Sequence, residues 1–154
     1  MTILGDKAQT IAGKQQDVLT FLPKIFGKKV KRIVMNKSYR NTSEIAEYAK
    51  SVGGSKDIQY VARHGKAVER HAIKTLEKTC KEISEKLKLR EEEYETAAIL
   101  TMTEKEAEHI QEIMHKLGAE AYYINRDSAQ FKKGLTVTTY YLAKGLEFDQ
   151  VFVV

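Results

Sequence analysis

Residues 97–118, AAILTMTEKEAEHIQEIMHKLG, decide the fold of this chain. The run opens with six apolar or small residues, 97–102, which is typical of a strand buried on both faces of a sheet. Thr103 and Glu106 follow at the spacing of a capping box, in which each side chain satisfies a backbone N–H at the start of a helix. Apolar residues then recur at helical spacing as far as Gly118, where the helix ends. We therefore predict a strand followed directly by a helix.

A second helix is predicted to begin at residues 41–44, where Asn-Thr-Ser-Glu combines N-cap side chains with a glutamate three positions on. Ile45, Ala49 and Val52 recur at helical spacing, so we expect them on its buried face. Gly53 stops this helix.

A longer helix is predicted from residue 75 to residue 92. Leu76, Cys80, Ile83 and Leu87 form its apolar stripe, and lysines and glutamates cover the opposite side. Cys80 on this stripe is expected to act as a small buried apolar side chain and not as a reactive thiol.

The other apolar runs have strand length and alternate with these helices. Parallel strands need crossover helices between them, so this alternation predicts an α/β fold with a mostly parallel sheet covered on both faces. The predicted strands are residues 2–4, 30–35, 58–62, 67–73, 121–124, 135–141 and 151–154.

Composition restricts the class of protein further. With 42% hydrophobic and 31% charged residues among 154, the chain has enough apolar material for a core and is unlike a disordered protein. No apolar run reaches the roughly 18 residues of a membrane span, and Cys80 is the single cysteine, so a reducing, cytoplasmic setting is expected. The net charge of +5 is compatible with phosphate-bearing partners.

Several catalytic motifs are missing from the sequence. It contains no G-x-x-x-x-G-K-[ST] phosphate loop, no G-x-G-x-x-G and no H-E-x-x-H. Its histidines include no i, i+4 pair, so no metal site is expected; they are His64, His71, His109 and His115. Catalysis by this chain alone is therefore not expected.

Three segments at predicted strand ends could bind a ligand. Asp6 and Gln9 offer a carboxylate and an amide, which can orient water or a phosphate oxygen. Tyr39 and Arg40 offer a ring for stacking on a base and a planar fork for a phosphate. Residues 138–149 combine hydroxyls, aromatic rings, a glycine and carboxylates that suit a nucleic-acid backbone and a ribose.

The order of these segments resembles that of motifs III, IV and V in the UvrD-like superfamily 1 DNA helicases. The matching strings are G-D-x-x-Q at residues 5–9, S-Y-R-N-T at 38–42 and T-x-Y-x-x-K-G-L-E-F-D at 139–149. Residues 63–65, Arg-His-Gly, with the predicted strand and long helix after them, are most similar to the HelD-type branch, whose members act as RNA-polymerase-associated motors.

The resemblance implies a RecA-like, P-loop NTPase-type fold that lacks its own P-loop. Residues 1–10 would be the end of a first RecA-like domain, and residues 11–29 would be the segment that connects it to the next. Residues 30–154 would form a second RecA-like domain that is truncated at its C-terminus. The phosphate-loop lysine and the magnesium carboxylate would belong to the first domain.

The resemblance also implies roles for the first two segments. Gln9 would sense the γ-phosphate of ATP, and Asp6 would support the switch between the nucleotide and DNA sites. Tyr39 would stack against adenine, and Arg40 would reach the γ-phosphate as an arginine finger.

For the third segment, the resemblance implies contacts to both ATP and DNA. Glu147 would bind the ribose, Gly145 would shape the loop, and Lys144 would lie beside the phosphate cleft. Thr139 and Tyr141 would face single-stranded DNA, although the family usually has a histidine where Tyr141 stands.

Three functions are therefore considered. The first is part of an ATP-dependent DNA helicase or translocase that uses ATP with Mg²⁺ and binds single-stranded or duplex DNA, with this chain inactive alone. The second is the motor domain of an RNA-polymerase-recycling ATPase, with RNA polymerase as partner. The third is a non-catalytic α/β interaction domain in which Tyr39 and Arg40 only pack and pair.

Overall fold

Parallel strands and helices make up the computed structural model, so the predicted α/β class is confirmed. The structure describes residues 3, 5, 18–27, 31, 33–53, 58–89, 93–126, 128 and 132–154. The chain falls into two units, Met1–His71 and Ala72–Val154. The domain boundaries predicted after residues 10 and 29 lie in the first unit and remain predictions.

The first unit contains a short parallel strand pair joined through a helix. Its described elements are α1 (Val18–Phe26), β1 (Lys37–Ser38), α2 (Ser43–Ser51) and β2 (Gln59–Tyr60). Lys37 lies opposite Gln59 in the β1–β2 pair. The ammonium of Lys50, near the end of α2, lies 4.7 Å from the centre of the Tyr60 ring and links the helix to β2.

The second unit is a parallel four-stranded sheet with helices packed on it. Its described elements are α3 (Leu76–Lys88), β3 (Thr96–Thr101), α4 (Glu104–Lys116), β4 (Ala121–Tyr123), β5 (Gly134–Thr139) and β6 (Gln150–Val153). The strand order is β4-β5-β3-β6. Ile99 at the centre of β3 lies opposite Val137 of β5 on one side and Phe152 of β6 on the other.

The core of the second unit lies between this sheet and the helices α3 and α4. Alternate residues of β3 and β5 face the helices, because side chains alternate between the two faces of a strand. The buried members of this core are Cys80, Ile83, Ala97, Ile99, Ala107, Ile110, Ile113, Met114, Ala121, Leu135 and Val137. The burial predicted for Cys80 is confirmed, and desolvation raises the pKa of its thiol to about 11, so the thiolate is disfavoured at neutral pH.

The strand and helix predicted from residues 97–118 are confirmed. Strand β3 begins and ends one residue before the predicted bounds. The Thr103 hydroxyl accepts from the Glu106 amide at 3.2 Å, and the Glu106 carboxylate accepts from the Thr103 amide at 3.1 Å. Gly118 has φ +78°, a conformation that favours glycine after a helix.

The predictions for residues 30–35 and 67–73 are wrong where the structure describes them. Ile33, Val34 and Met35 were expected in a strand buried on both faces, but they are 65–81% exposed and precede β1. Residues 67–73 were expected to form a strand, but none is assigned there and nearly all of them are exposed. An apolar run forms a buried strand only where other elements cover and pair with it.

Helix α2 presents a different face from the one predicted. Ala46 is its buried residue, while Ile45 and Val52, expected inside, are exposed. Helix α1 lies within residues 11–29, for which no helix was predicted. The predicted strand at residues 2–4 lies outside the described residues except for Ile3, which has no strand assignment.

Among the helices in the described part of the chain, none combines the length and apolar character needed to cross a bilayer.

Candidate functional site

The loop at residues 39–42, which we call loop 1, joins the carboxyl end of β1 to the N-terminus of α2. Its aromatic residue, Tyr39, has 69% of its surface exposed. Arg40 is also exposed, and its backbone oxygen accepts a hydrogen bond of 2.9 Å from Nη2 of Arg63. Loop 1 therefore presents a ring and a guanidinium in adjacent positions on a backbone fixed from outside the loop.

The start of α2 is held by a neighbouring segment and not by the capping box that its sequence suggests. Thr42 is the N-cap but makes no side-chain capping bond. One oxygen of the Glu44 carboxylate lies 3.0 Å from Nδ1 of His64, and the other accepts from the Gly65 amide at 2.9 Å. These bonds, that of His64 first, lower the pKa of Glu44 to about 2, so the carboxylate is ionised at neutral pH.

The loop at residues 140–149, which we call loop 2, joins the carboxyl end of β5 to β6. Tyr141 is 65% exposed, whereas Thr139 is only 5% exposed. The Thr139 hydroxyl accepts from the Leu142 amide at 3.3 Å, and its backbone oxygen accepts from the Ala143 amide at 2.9 Å. Of the two residues expected to face DNA, only Tyr141 is therefore presented to solvent, and Thr139 holds the turn.

The other site residues predicted in loop 2 lie directly after the turn that Thr139 holds. Lys144 and Glu147 are exposed on either side of Gly145. Gly145 has φ +90°, a region that side chains with a Cβ rarely adopt. This conformation supports the expectation that the glycine shapes the loop.

Asp149 anchors the end of loop 2, a role that the sequence did not reveal. Its Oδ2 accepts from the Glu95 amide at 3.2 Å, from the Thr96 amide at 2.9 Å and from the Thr96 hydroxyl at 2.8 Å. The Asp149 amide in turn donates to the Thr96 hydroxyl at 3.0 Å. Hydrogen bonds from Thr96 lower the pKa of Asp149.

We expect Asp149→Asn to destabilise the second unit by about 1–2 kcal/mol at pH 7, because exposed charge-assisted hydrogen bonds are lost or weakened. The pKa of Asp149 is lower in the folded than in the unfolded chain, so its contribution is complete above the unfolded pKa and disappears as pH falls through the folded pKa. The difference between variant and wild type should therefore shrink below about pH 4.

Urea unfolding of the two proteins at pH 7 and pH 3 measures this difference. Glu85→Gln, the same type of change at an exposed carboxylate on α3, serves as control. An equal difference at both pH values would show that the charge of Asp149 does not stabilise the unit.

The structure leaves part of the predicted site undescribed. Asp6 and Gln9 lie outside the described residues. Loop 1 belongs to the first unit and loop 2 to the second, and each is described within its own unit. Among the described residues, no group of three or more His, Cys, Asp or Glu side chains could hold a metal ion.

The sequence matches no model of a known protein family, and a search of curated protein sequences found no similar protein. The function of the chain is therefore inferred from its own residues.

The two loops differ in the chemistry that each offers within its own unit. Loop 1 offers an exposed ring beside a guanidinium, which suit a base and a phosphate. Loop 2 offers an exposed ring, an ammonium and a carboxylate around a glycine turn. Both loops follow the carboxyl ends of parallel strands, where open α/β sheets bind their ligands.

Proposed function

We propose that this chain supplies the second RecA-like motor domain of a UvrD-like, ATP-dependent DNA helicase or translocase. The observation that carries the proposal is the position of Tyr39 and Arg40, adjacent and exposed at the carboxyl end of a parallel strand. The ordered string of residues 139–149 at the end of another parallel strand supports it.

In this proposal, ATP lies between the chain and a domain that carries a P-loop, and we call the two together the complete motor. The P-loop domain holds Mg²⁺ and most of the phosphate contacts, since the present sequence has no phosphate loop. Tyr39 stacks on adenine, Glu147 binds the ribose, and Lys144 lies near the phosphates. Gln9 senses the γ-phosphate, and Asp6 supports the coupling to DNA.

Arg40 provides the catalytic contribution of this chain. Charge accumulates on the transferred phosphoryl group in the transition state, and a guanidinium placed against it lowers the barrier. Because an arginine is always charged and has a planar fork of donors, it can follow this charge without a change of protonation.

DNA contact is assigned to loop 2. An exposed tyrosine can stack on a base of single-stranded DNA whatever its sequence, a contact worth about 1–3 kcal/mol per base. Tyr141 has the exposure that such a contact needs, while Thr139 acts by holding the turn below it.

The chain alone is expected to hydrolyse no ATP, because the phosphates would have no P-loop to position them. Phosphate release by the purified chain with ATP, Mg²⁺ and single-stranded DNA measures this. The Arg40→Ala chain, purified in the same way, is the control for a contaminating ATPase. Turnover by the wild-type chain that is lost in Arg40→Ala would contradict the need for a second domain.

The second candidate function, RNA-polymerase remodelling, uses the same ATP chemistry and is favoured by the sequence of residues 63–73. The strand expected at residues 67–73 of this segment is not formed. Strand displacement by the complete motor supports a helicase. Retention of RNA polymerase on the immobilised motor, without strand displacement, supports the remodelling ATPase.

A further inference from the structure

Loop 1 and the start of α2 are contacted by one short segment, residues 63–65. Nη2 of Arg63 donates to the backbone oxygen of Arg40 at 2.9 Å, and the backbone oxygen of Arg63 accepts from the Ser43 amide at 2.8 Å. One residue of the segment thus holds the backbone on both sides of the N-cap of α2.

The next two residues of the segment bind a single carboxylate on α2. Glu44 contacts His64 at 3.0 Å through one oxygen and the Gly65 amide at 2.9 Å through the other. The ionised carboxylate accepts both bonds, and such charge-assisted bonds are stronger than neutral ones. Glu44 therefore fixes residues 64 and 65 against the first turn of the helix.

Gly65 also packs directly against the N-cap. A Cβ placed on Gly65 would lie 2.7 Å from the Thr42 methyl carbon, Cγ2, and 3.2 Å from Thr42 Cβ. A threonine cannot move its branch point away without moving its own backbone. A side chain at residue 65 would thus require Thr42, two residues after Arg40, to change its rotamer or shift.

We propose that Arg63, His64 and Gly65, together with Glu44, form a clamp that positions loop 1 for catalysis. The inference rests on the proposed function, because it assigns the clamp to the placement of Tyr39 and Arg40 against ATP. Its members are positioning residues and do not touch the nucleotide. A displacement of about 1 Å in a catalytic group can cost about 100-fold in rate, so a clamp on the loop backbone acts on turnover.

The first test follows the loop itself. The chain contains no tryptophan, so Tyr39→Trp provides a single fluorescent reporter in loop 1. In this background, Glu44→Ala is expected to lower the fluorescence anisotropy of Trp at position 39, because loop 1 gains nanosecond motion. Glu44→Gln, which keeps the shape of the side chain and can still accept from the Gly65 amide, is expected to restore part of the anisotropy. Glu47→Ala, at an exposed glutamate of the same helix, is the matched control and should change nothing.

A second pair of variants tests the contact between Gly65 and Thr42. Gly65→Ala is expected to mobilise or displace the reporter, and Gly65→Ala with Thr42→Ser is expected to recover it, because serine lacks the methyl group that would clash. Thr42→Ser keeps the hydroxyl, which has no hydrogen-bond partner among the described residues. The substitution therefore removes the methyl group without breaking a hydrogen bond. Failure of the serine to recover the reporter would overturn the packing part of the clamp.

The third test measures turnover in the complete motor. Glu44→Ala should lower kcat about 10- to 100-fold, with partial recovery in Glu44→Gln and no loss in Glu47→Ala. A mobilised reporter with unchanged kcat would overturn the positioning role and leave the proposed function intact. An Arg40→Ala motor with unchanged kcat would instead overturn the proposed function, whatever the reporter shows.

Discussion

Arg40→Ala is expected to lower the ATP turnover of the complete motor by about 10³-fold or more, the range found for arginine fingers. The guanidinium would stabilise charge that appears only in the transition state, so the loss should fall mainly on kcat. Steady-state phosphate release at saturating single-stranded DNA measures it. Because Arg40 is exposed, its removal should leave the fold unchanged by circular dichroism.

Two variants separate this role from a general effect of charge. Arg70→Ala removes another exposed arginine of the same unit and should retain wild-type turnover. Arg40→Lys keeps the charge but not the planar fork, so it should recover only part of the lost rate. Full turnover in Arg40→Ala would contradict the proposed function, because it would remove the arginine finger on which the motor role of loop 1 depends.

Ile99→Ala is expected to destabilise the second unit by about 2–5 kcal/mol, the usual cost of truncating a buried isoleucine. Ile99 is 0% exposed and lies at the centre of β3, between β5 and β6 and under the helices. Its truncation removes contacts from strands and helices together and leaves a cavity in the core. Urea unfolding monitored by circular dichroism measures the change.

Ile33→Ala makes the same chemical change at a side chain that is 77% exposed, and it should cost less than about 0.5 kcal/mol. The contrast tests the exposure of residues 33–35 as well as the core. A cost at Ile33 equal to that at Ile99 would contradict the exposure of Ile33 in this fold.

The elements that the sequence predicted well are those with local signals. The capping box of Thr103 and Glu106 lies within one turn, and it fixes both the end of β3 and the start of α4. The apolar stripe through Cys80 and Ile83 likewise needs only the helical period to be recognised. Such patterns carry their physical cause within a few neighbouring residues.

The failures concern features that depend on distant parts of the chain. Residues 33–35 are as apolar as β3, but burial also requires elements that cover both faces, and their exposure shows that none of the described elements covers them. Glu44 had the position of a capping glutamate, yet its carboxylate bonds to His64, 20 residues away. Asp149 bonds to Thr96, 53 residues away, and no local spacing indicates that contact.

The candidate site likewise has some features that local sequence predicts and others that depend on the folded structure. The positions of Tyr39 and Arg40 at a strand end, and of Gly145 in a turn, follow from local sequence and agree with the structure. The exposure of Tyr141 and the burial of Thr139 could not be separated by sequence, because both lie in one polar and aromatic run. In the structure, the hydrogen bonds of the turn identify Thr139 as the residue that supports loop 2, whereas Tyr141 is exposed to solvent.

Photocrosslinking of 8-azido-ATP to the complete motor determines whether Tyr39 lies against the adenine of bound ATP, the contact on which the proposed motor role of loop 1 depends. We expect the label to map to Tyr39 or its immediate neighbours, excess ATP to compete it away, and Tyr39→Ala to abolish it. Labelling confined to other parts of the motor, or undiminished in Tyr39→Ala, would show that loop 1 does not bind the base.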